Sequence, residues 1–434
     1  MIYFLFFSVL LLAIIYLKLF SLDVASPSFL AALMFALSIL INVLRASSWG
    51  IDYSLKAYTV VMLGLLFLGI GEFCIRSISQ NRSFYGRNSN VLESDIQPLH
   101  MDKGGYYVLL FFTLIILVFD FVATYKLSLL GDSGTMLMSA RHAIVGEDIR
   151  KGAILTRLLG LNKAAAYISI YLIMYNRIIC KAKNNKKYFI FILIFLGDSI
   201  LSTGRNAFLR IISYTLILFF VFYLKEHKLS WNTVFRLGRY GCIGLLAFFG
   251  IFTAVGHLSG KGIYNTPIEI ISYYMGASIN LLNQYIVDPG QSTSIFFGEH
   301  TLYGIYNILR IIGFDIPQMV QPLEFRYIPH YEPNIYTAFR RYIQDFGFLG
   351  LCLIMLFLGL FYTRLRIRAA NDKTNGWRTI FFAVSIYPIV EIAIEERFFM
   401  DYITVTTFIN IFWMFILYKI VTNKVSIVFG KKHY

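Results

Sequence analysis

Apolar stretches long enough to cross a lipid bilayer recur along the whole chain, and they constrain its fold more than any other feature. About eleven can be counted, each close to the roughly 20 residues that a helix needs to cross the hydrocarbon core. They lie at 2–20, 26–45, 57–76, 105–124, 158–179, 188–203, 206–224, 240–258, 346–364, 379–395 and 403–421. A closed β-barrel would show short alternating segments instead. The sequence therefore predicts an all-α polytopic membrane protein.

Composition excludes a soluble protein. Hydrophobic residues make up 58% of the 434 residues, more apolar surface than one soluble core absorbs. The first apolar stretch has no basic segment before it and no small-residue cleavage site after it, so we expect a retained anchor. The four cysteines show no CxxC spacing and are expected to be packing residues.

The distribution of positive charge predicts an orientation. The formal net charge is +15, but lysine and arginine concentrate in alternate loops, which argues against a nucleic-acid surface. Placing those loops in the cytoplasm puts the N-terminus outside and the C-terminus inside. The basic residues left outside are mostly arginines, whose planar fork grips phosphate oxygens and stays charged when partly desolvated. An anionic ligand at the outer face is therefore expected, with a lipid diphosphate the first candidate. These arginines are Arg45, Arg141, Arg150, Arg157, Arg205, Arg210, Arg310, Arg326, Arg340, Arg341 and Arg397.

Two predicted outer loops are long enough to build a site within what is otherwise a single membrane domain, 1–434. The first spans 126–157 and the second 257–345. The second contains two apolar segments with helical spacing, Ile268–Ile286 and Tyr303–Phe314. We expect both to be amphipathic helices on or in the outer leaflet, forming a helical cap.

The segment Asn334–Gly350, NIYTAFRRYIQDFGFLG, places two arginines and an aspartate directly before an apolar stretch. Arg341 and Asp345 are four residues apart and share a helix face. One interpretation is a local ion pair that anchors the helix at the interface. The other is that Arg340 or Arg341 holds a phosphate and Asp345 orients the arginine, while nearby tyrosines, Tyr331, Tyr336 and Tyr342, stack on sugar rings. This segment is called the signature segment below.

Three weaker elements complete the candidate site. Arg205 follows Thr203-Gly204, where a helix break would expose amide groups beside an arginine, although a contact with Asp198 is the plain alternative. Arg141 with His142 is a candidate for contacting a second substrate, or simply part of a solvated basic loop. His330 is a candidate general base. No metal-binding histidine cluster, DxD motif or Walker A sequence is present, so no cofactor is expected.

The signature segment resembles the sequence before a late transmembrane helix in bacterial O-antigen and capsule repeat-unit polymerases, the Wzy family. The Gly204-Arg205 element is similar to one common in polymerases and ligases, and Arg141 with Gly152 resembles an R-X10-G pattern of some polymerases. The resemblance implies a metal-independent membrane glycosyltransferase of the GT-C type in the inner membrane. Its substrates would be oligosaccharides on undecaprenyl diphosphate, joined at the periplasmic face. Membrane lipids and a polysaccharide chain-length regulator are further implied partners.

By that resemblance, Arg205 and Arg341 would stabilise the leaving diphosphate with Arg340 in support, and Asp345 and His330 would compete for the role of base. Arg326, Arg141, Tyr336 and Tyr342 would contact substrate. Two alternatives stay open. An O-antigen ligase uses the same donor, and a lipid-linked oligosaccharide flippase would need basic residues in a central cavity.

Overall fold

The computed structural model describes residues 1–50, 52–79, 97–131, 134–146, 149, 151–182, 185–204, 206–227, 230–258, 266–290, 296–317, 322–329, 331–372, 374 and 376–422. These residues are overwhelmingly helical. In chain order the helices are α1 Ile2–Leu19, α2 Pro27–Trp49, α3 Leu55–Ser79, α4 Lys103–Ser128, α5 Met136–Gly146, α6 Ala153–Met174, α7 Phe189–Leu201, α8 Asn206–Glu226, α9 Trp231–Leu258, α10 Pro267–Ile271, α11 Ala277–Val287, α12 Tyr303–Ile311, α13 Ala338–Ala370, α14 Trp377–Ser385, α15 Tyr387–Val390 and α16 Val405–Val421.

Within the described part of the chain, eight helices are long and apolar enough to cross a membrane: α1–α4, α6, α8, α9 and α13. This confirms an α-helical protein with several candidate membrane spans. The three remaining predicted stretches form shorter helices, namely α7, the α14–α15 pair and α16. They fall short of the roughly 20 residues of a straight span. The count of about eleven spans therefore stays a prediction.

The stretch predicted at 379–395 is not one helix. It divides at Ile386 into α14 and α15, and regular helix ends at Val390. Pro388 lies in the first turn of α15, where its missing amide hydrogen costs nothing, but the same residue could not continue α14. Glu391 to Arg397 form a turn and an irregular segment that place several charged side chains close together.

The segment Ile268–Ile286 does not lie on a surface as expected. A π-helical turn, Ser272–Gly276, joins α10 to α11, and α11 is buried on nearly all sides between α2, α3 and α13. Its buried asparagines bond to the bundle: the Asn283 amide donates to the Asp52 carbonyl over 2.9 Å. By contrast, α12 is an amphipathic helix whose side chains are mostly half-buried, with Ile311 exposed at its end; its place on the outer leaflet stays a prediction.

The centre of the bundle is the pairing of α13 with α3, which allows unusually close backbone approach. A Cβ on Gly71 would lie 2.4 Å from the Leu356 carbonyl oxygen, and one on Gly359 would lie 2.3 Å from the Leu68 oxygen. Small residues at such crossings let helix backbones meet in a membrane, where dispersion rather than water exclusion drives packing. Because α13 also carries the signature segment, its packing against α3 fixes the position of the candidate site along the helix bundle.

A buried group of charges closes the end of α13 remote from the signature segment. Arg366 bonds to Asp23 over 2.9 Å, and Arg76 bonds to Asp23 over 2.8 Å and to Glu72 over 2.7 Å. Glu72 also accepts from the Ser26 hydroxyl and the Ser28 amide, each over 2.9 Å. We call Asp23, Glu72, Arg76 and Arg366 the Asp23 cluster. It joins the α1–α2 turn, α3 and α13.

Candidate functional site

Most of the signature segment lies in the first turns of α13, and Gly347 within it separates the polar turns from the apolar part of the helix. Gly347 has φ +65°, a conformation that residues with a Cβ rarely adopt, so the helix is kinked there. The backbone before the kink is tied to the turn after α15, because the Ala338 amide donates to the Ile392 carbonyl over 3.0 Å. The polar first turns thus form a separate short helix rather than a simple continuation of the apolar segment.

Arg340 is completely buried at the start of α13. Its Nη2 donates to both carboxylate oxygens of Glu324, over 3.0 and 3.1 Å. The guanidinium carbon lies 3.3 Å from the ring centre of Tyr285, a cation–π contact. Nη1 donates to Gln344, while Nε has no hydrogen-bond partner among the described residues. An arginine desolvated in this way requires an anion, and here Glu324 supplies it.

Arg341 and Asp345 hold the same turn, His300–Thr301. The Arg341 guanidinium donates to the His300 carbonyl over 2.9 Å. The Asp345 carboxylate accepts from the Thr301 amide over 2.6 Å and from the His300 amide over 3.4 Å. The predicted shared face is therefore real, and its two charged side chains fasten the segment before α12 onto α13.

Gln344 connects these two halves. Its side-chain oxygen accepts from Arg340, so its amide nitrogen donates to Nε2 of His300 over 2.8 Å. That assignment makes Nε2 an acceptor and the ring neutral. Burial lowers the pKa of His300, with Arg341 acting in the same direction and Asp345 against it. We call Glu324, Arg340, Arg341, Gln344, Asp345 and His300 the Arg340 network.

Electrostatics within the Arg340 network centre on Glu324. Burial raises the pKa of this carboxyl, but the charge of Arg340 and its hydrogen bonds outweigh burial, so the net pKa is lowered. The Glu324 side chain keeps 38% of its surface exposed, whereas Arg340 keeps none. The anion of this pair is consequently the accessible partner.

Two of the three predicted tyrosines, Tyr336 and Tyr342, lie inside the protein, whereas Tyr331 is half-buried. Tyr336 donates its hydroxyl to the Glu324 carbonyl over 3.2 Å, and Tyr342 donates to the Glu396 carboxylate over 2.9 Å. Each ring is 1% exposed. In this arrangement both bind protein groups, and stacking on sugar rings, which stays a prediction, would require the loop around Glu324 to move.

Of the other predicted residues, Arg326 lies next to the Arg340 network and Arg141 lies on another helix. Arg326 lies beside Glu324, with 3.4 Å between Nε and the carboxylate, so it belongs to the same edge. Arg141 lies on α5 near Tyr274; burial lowers its pKa and the tyrosine acts against burial. Arg205 and His330 lie outside the described residues. Asp198, the proposed neighbour of Arg205, accepts a hydrogen bond from Asn162 over 2.7 Å.

A second group of charges follows the break after α15. Arg397 pairs with Glu391 over 3.1 Å, with Glu395, and with Asp401 over 2.6 Å. Arg210 from α8 bonds to the same oxygen of Asp401 over 2.7 Å. The carboxylates that balance the charge of Arg397 thus come from its own segment, 391–401. In this region Tyr342 and Glu396 join α13 to the 391–401 segment.

Sequence reasoning missed four contributors to the site: Glu324, Gln344, Tyr285 and the particular role of His300. Each is ordinary in its local sequence and gains significance only by contact with α13 across long chain separations. One signal was available: two adjacent arginines entering an apolar helix must find carboxylates, and Glu324 is among the few acidic residues in the preceding loop.

The chemistry that this geometry offers is binding of an anion with planar, paired oxygens. A phosphate can occupy an arginine fork as a carboxylate does, and low polarity around Arg340 strengthens such contacts. Among the described residues, no group of three or more His, Cys, Asp and Glu is placed to hold a metal ion. Comparison of the chain with known protein-family models, curated proteins and solved structures gives no match.

Proposed function

We propose that this chain is an O-antigen polymerase, a metal-independent glycosyltransferase that joins oligosaccharide repeat units carried on undecaprenyl diphosphate. In this proposal it is a GT-C-like inner-membrane protein with about eleven spans, its N-terminus outside and its C-terminus inside. The signature segment then lies at the periplasmic face, where the region between α9 and α13 acts as a cap.

The main observation behind the proposal is that the fully buried Arg340 pairs with the partly exposed carboxylate of Glu324, which lies in a loop. An arginine that served only as a structural anchor would be equally stable with a buried partner. An accessible Glu324 can exchange with the phosphate of a substrate while Arg340 stays in place, in contact with Tyr285. The adjacent Arg341 supplies a second positive charge to the same region.

The proposed reaction uses these charges for leaving-group departure. The bond between C1 of the growing glycan and the diphosphate oxygen breaks, and negative charge develops on that oxygen. Arg340 and Arg341, with Arg205, stabilise this charge in a site of low polarity. The acceptor sugar hydroxyl forms the new bond to C1 and gives its proton to a base. Asp345 and His330 are the predicted bases, and the neutral ring of His300 joins them because its Nε2 accepts a hydrogen bond from Gln344.

The test is a gel of surface polysaccharide from a deletion strain complemented with the wild-type chain or with Arg341→Ala. We expect the variant to lose the ladder while one repeat unit stays attached to the lipid A core, because flipping and ligation still operate. Arg310→Ala is the matched control, since Arg310 is exposed on α12 and its side chain, among the described residues, bonds to Asn307 of its own helix. Membrane protein levels are measured in parallel.

Other outcomes separate the alternatives. Loss of every attached unit would favour an O-antigen ligase, and lipid-linked units trapped on the cytoplasmic side would favour a flippase. A normal ladder with alanine at Arg341 and also at Arg205, at wild-type protein levels, would contradict the mechanism.

A further inference from the structure

Two buried carboxylates outside the Arg340 network lie on neighbouring helices, Asp120 on α4 and Asp198 on α7. Asp120 is fully buried, and Asp198 is 6% exposed. Both lie in segments predicted to cross the membrane, where an acidic side chain without a counter-charge is costly and commonly marks an ion or proton site. The groups that surround these carboxylates therefore decide what this region binds.

The packing of α4 against α7 brings the two carboxylates to the same level of the bundle. A Cβ on Gly197 would lie 3.3 Å from the Leu117 side chain. Further along both helices, the Thr124 hydroxyl donates to the Leu201 carbonyl over 3.5 Å. Because the two contacts advance together along the chain, the helices run in the same direction, and both carboxylates lie between the contacts.

A single lysine balances only part of the negative charge. Lys151, which precedes α6, donates to the Asp120 carboxylate over 2.6 Å and to the Leu201 carbonyl over 3.3 Å. Asp198 forms no ion pair among the described residues, and its Oδ2 accepts a hydrogen bond from the Asn162 amide over 2.7 Å. Two carboxylates and one ammonium leave one negative charge in a buried region, which is unfavourable without a further cation.

Three oxygen atoms of this region have no hydrogen-bond partner among the described residues: Asp120 Oδ2, Asp198 Oδ1 and Asn162 Oδ1. Asn162 is fully buried on α6, and its amide nitrogen donates both to the Thr113 carbonyl, over 3.1 Å, and to Asp198. These two acceptors identify the nitrogen end of the amide, so the atom without a partner is an oxygen beside the carboxylate. All three atoms are acceptors, and they lack a donor or a cation.

The end of α7 makes the same region more negative. The helix ends at Leu201, so Asp198 lies in its last turn, where carbonyl groups carry the negative end of the helix dipole. In membrane proteins, the carbonyl ends of interrupted helices are one means of coordinating sodium ions or protons. The helix end thus favours a cation independently of the acidic side chains.

We propose that Asp120, Asn162 and Asp198 bind a sodium ion between α4, α6 and α7, beside the ammonium of Lys151. Two carboxylates and an amide are oxygen ligands, which suit a hard cation rather than a transition metal. One positive charge balances the excess negative charge of the region. A proton would satisfy at most two of the three oxygens, one by a covalent bond and one by a hydrogen bond, whereas a sodium ion is able to contact all three. The inference does not rest on the proposed function, because the site shares no residue with the Arg340 network.

The test is equilibrium binding of radiolabelled sodium to the purified full chain in detergent, with choline chloride keeping the ionic strength constant. We expect one ion per chain for the wild type. Asp198→Asn keeps the shape of the side chain but removes its charge, and it should weaken binding about 10- to 100-fold. Asp315→Asn is the matched control, because Asp315 is exposed in the loop after α12. Acid should weaken binding to the wild type, since protons compete for the carboxylate oxygens.

A second variant is expected to gain affinity, which a misfolded protein does not do. Lys151→Met removes the neighbouring positive charge, so sodium should bind more tightly than in the wild type. Thermal unfolding gives an independent measurement. Replacing choline chloride with sodium chloride should raise the Tm of the wild type and of Asp315→Asn, and it should leave the Tm of Asp198→Asn unchanged.

Several results would overturn the inference. They are the absence of saturable sodium binding by the wild type, equal binding by Asp198→Asn, and weaker binding by a folded Lys151→Met. A wild type that is indifferent to sodium, but whose stability changes on acidification in a way that Asp198→Asn abolishes, would show that a proton occupies the site instead.

Discussion

The two ends of α13 carry two charge groups that differ in how exposed the carboxylates paired with their arginines are. The Asp23 cluster contains two arginines and two carboxylates, and all four side chains are at most 10% exposed. Its members come from helix ends and from the short α1–α2 turn. The Arg340 network takes its carboxylate from a loop instead, and that carboxylate is 38% exposed.

This difference separates a structural role from an exchangeable one. Every charge of the Asp23 cluster is met by another charge of the cluster, so an external ligand would have to break buried pairs. Glu324 can leave Arg340 and return to water, and the arginine then needs a new anion. The same helix thus combines a fixed end with an end suited to binding.

The largest expected effect is on stability, from Arg366→Met compared with Arg340→Met. Arg366→Met leaves part of the Asp23 charge buried without its partner and should cost roughly 3–5 kcal/mol. Arg340→Met should cost about 1.5–3 kcal/mol, because Glu324 regains solvent. The measurement is thermal unfolding of the detergent-solubilised protein. Arg364→Met is the control, because Arg364 is exposed on α13 and belongs to neither charge group.

Equal losses from Arg366→Met and Arg340→Met would remove the distinction between the two ends. A loss for Arg364→Met beyond about 0.5 kcal/mol would show that the method reports general surface effects instead.

Acid should loosen the Arg340 network before the Asp23 cluster. The pKa of His300 is lowered from 6.5, so its stabilising effect is present above that value and is lost as pH falls below it. The pKa of Glu324 is lowered from 4.5, so its contribution is lost as pH falls through its folded value, below 4.5. Burial opposes ionisation of Asp23, but Arg366 and Arg76 lower its pKa to about 2, so that cluster survives longer.

Hydrogen exchange, corrected for the intrinsic effect of pH, measures this order. We expect protection to fall first in 296–317 and last in 19–27. His300→Gln should abolish the step nearest to pH 6.5 and retain the one at lower pH. Simultaneous loss of protection at both ends would contradict the comparison.

The smallest expected effect concerns the kink that sets the signature segment apart. Gly347→Ala meets no atom within 4 Å, so its cost is the backbone conformation at φ +65° and ψ −167°, a region essentially restricted to glycine, about 1–3 kcal/mol. Gly238→Ala, also without a close neighbour but within the regular helix α9, should be neutral or slightly stabilising. Chemical or thermal unfolding of both variants checks the difference, and an equal response would show that the kink carries no strain.

Much of the fold could be predicted from hydropathy because each apolar stretch forms a helix locally. The predictions were wrong where contacts between distant parts of the chain determine whether and where a helix is buried. Ile268–Ile286 has the pattern of a surface helix, yet its asparagines find partners within the bundle and α11 is buried. Pro388 explains why the predicted stretch 379–395 divides at Ile386, and Glu391 pairs with Arg397 beyond the end of α15.

The candidate site was predicted in part. Arg340, Arg341 and Asp345 stood out because charged residues at the start of an apolar helix are costly without partners. Glu324 and His300 did not, because their partners are far away in sequence and no local spacing encodes those contacts.

The sequence alone determined that this chain is a helical membrane protein and that its signature segment carries arginines requiring anions. Hydrophobic burial and the cost of an unpaired charge are properties of residue types, so they can be read without coordinates. Which anion each arginine meets, and whether that anion is buried or accessible, depends on helices and loops far apart in the chain. Only the tertiary structure decided that Arg366 is closed off by Asp23 while Arg340 faces a carboxylate that can leave.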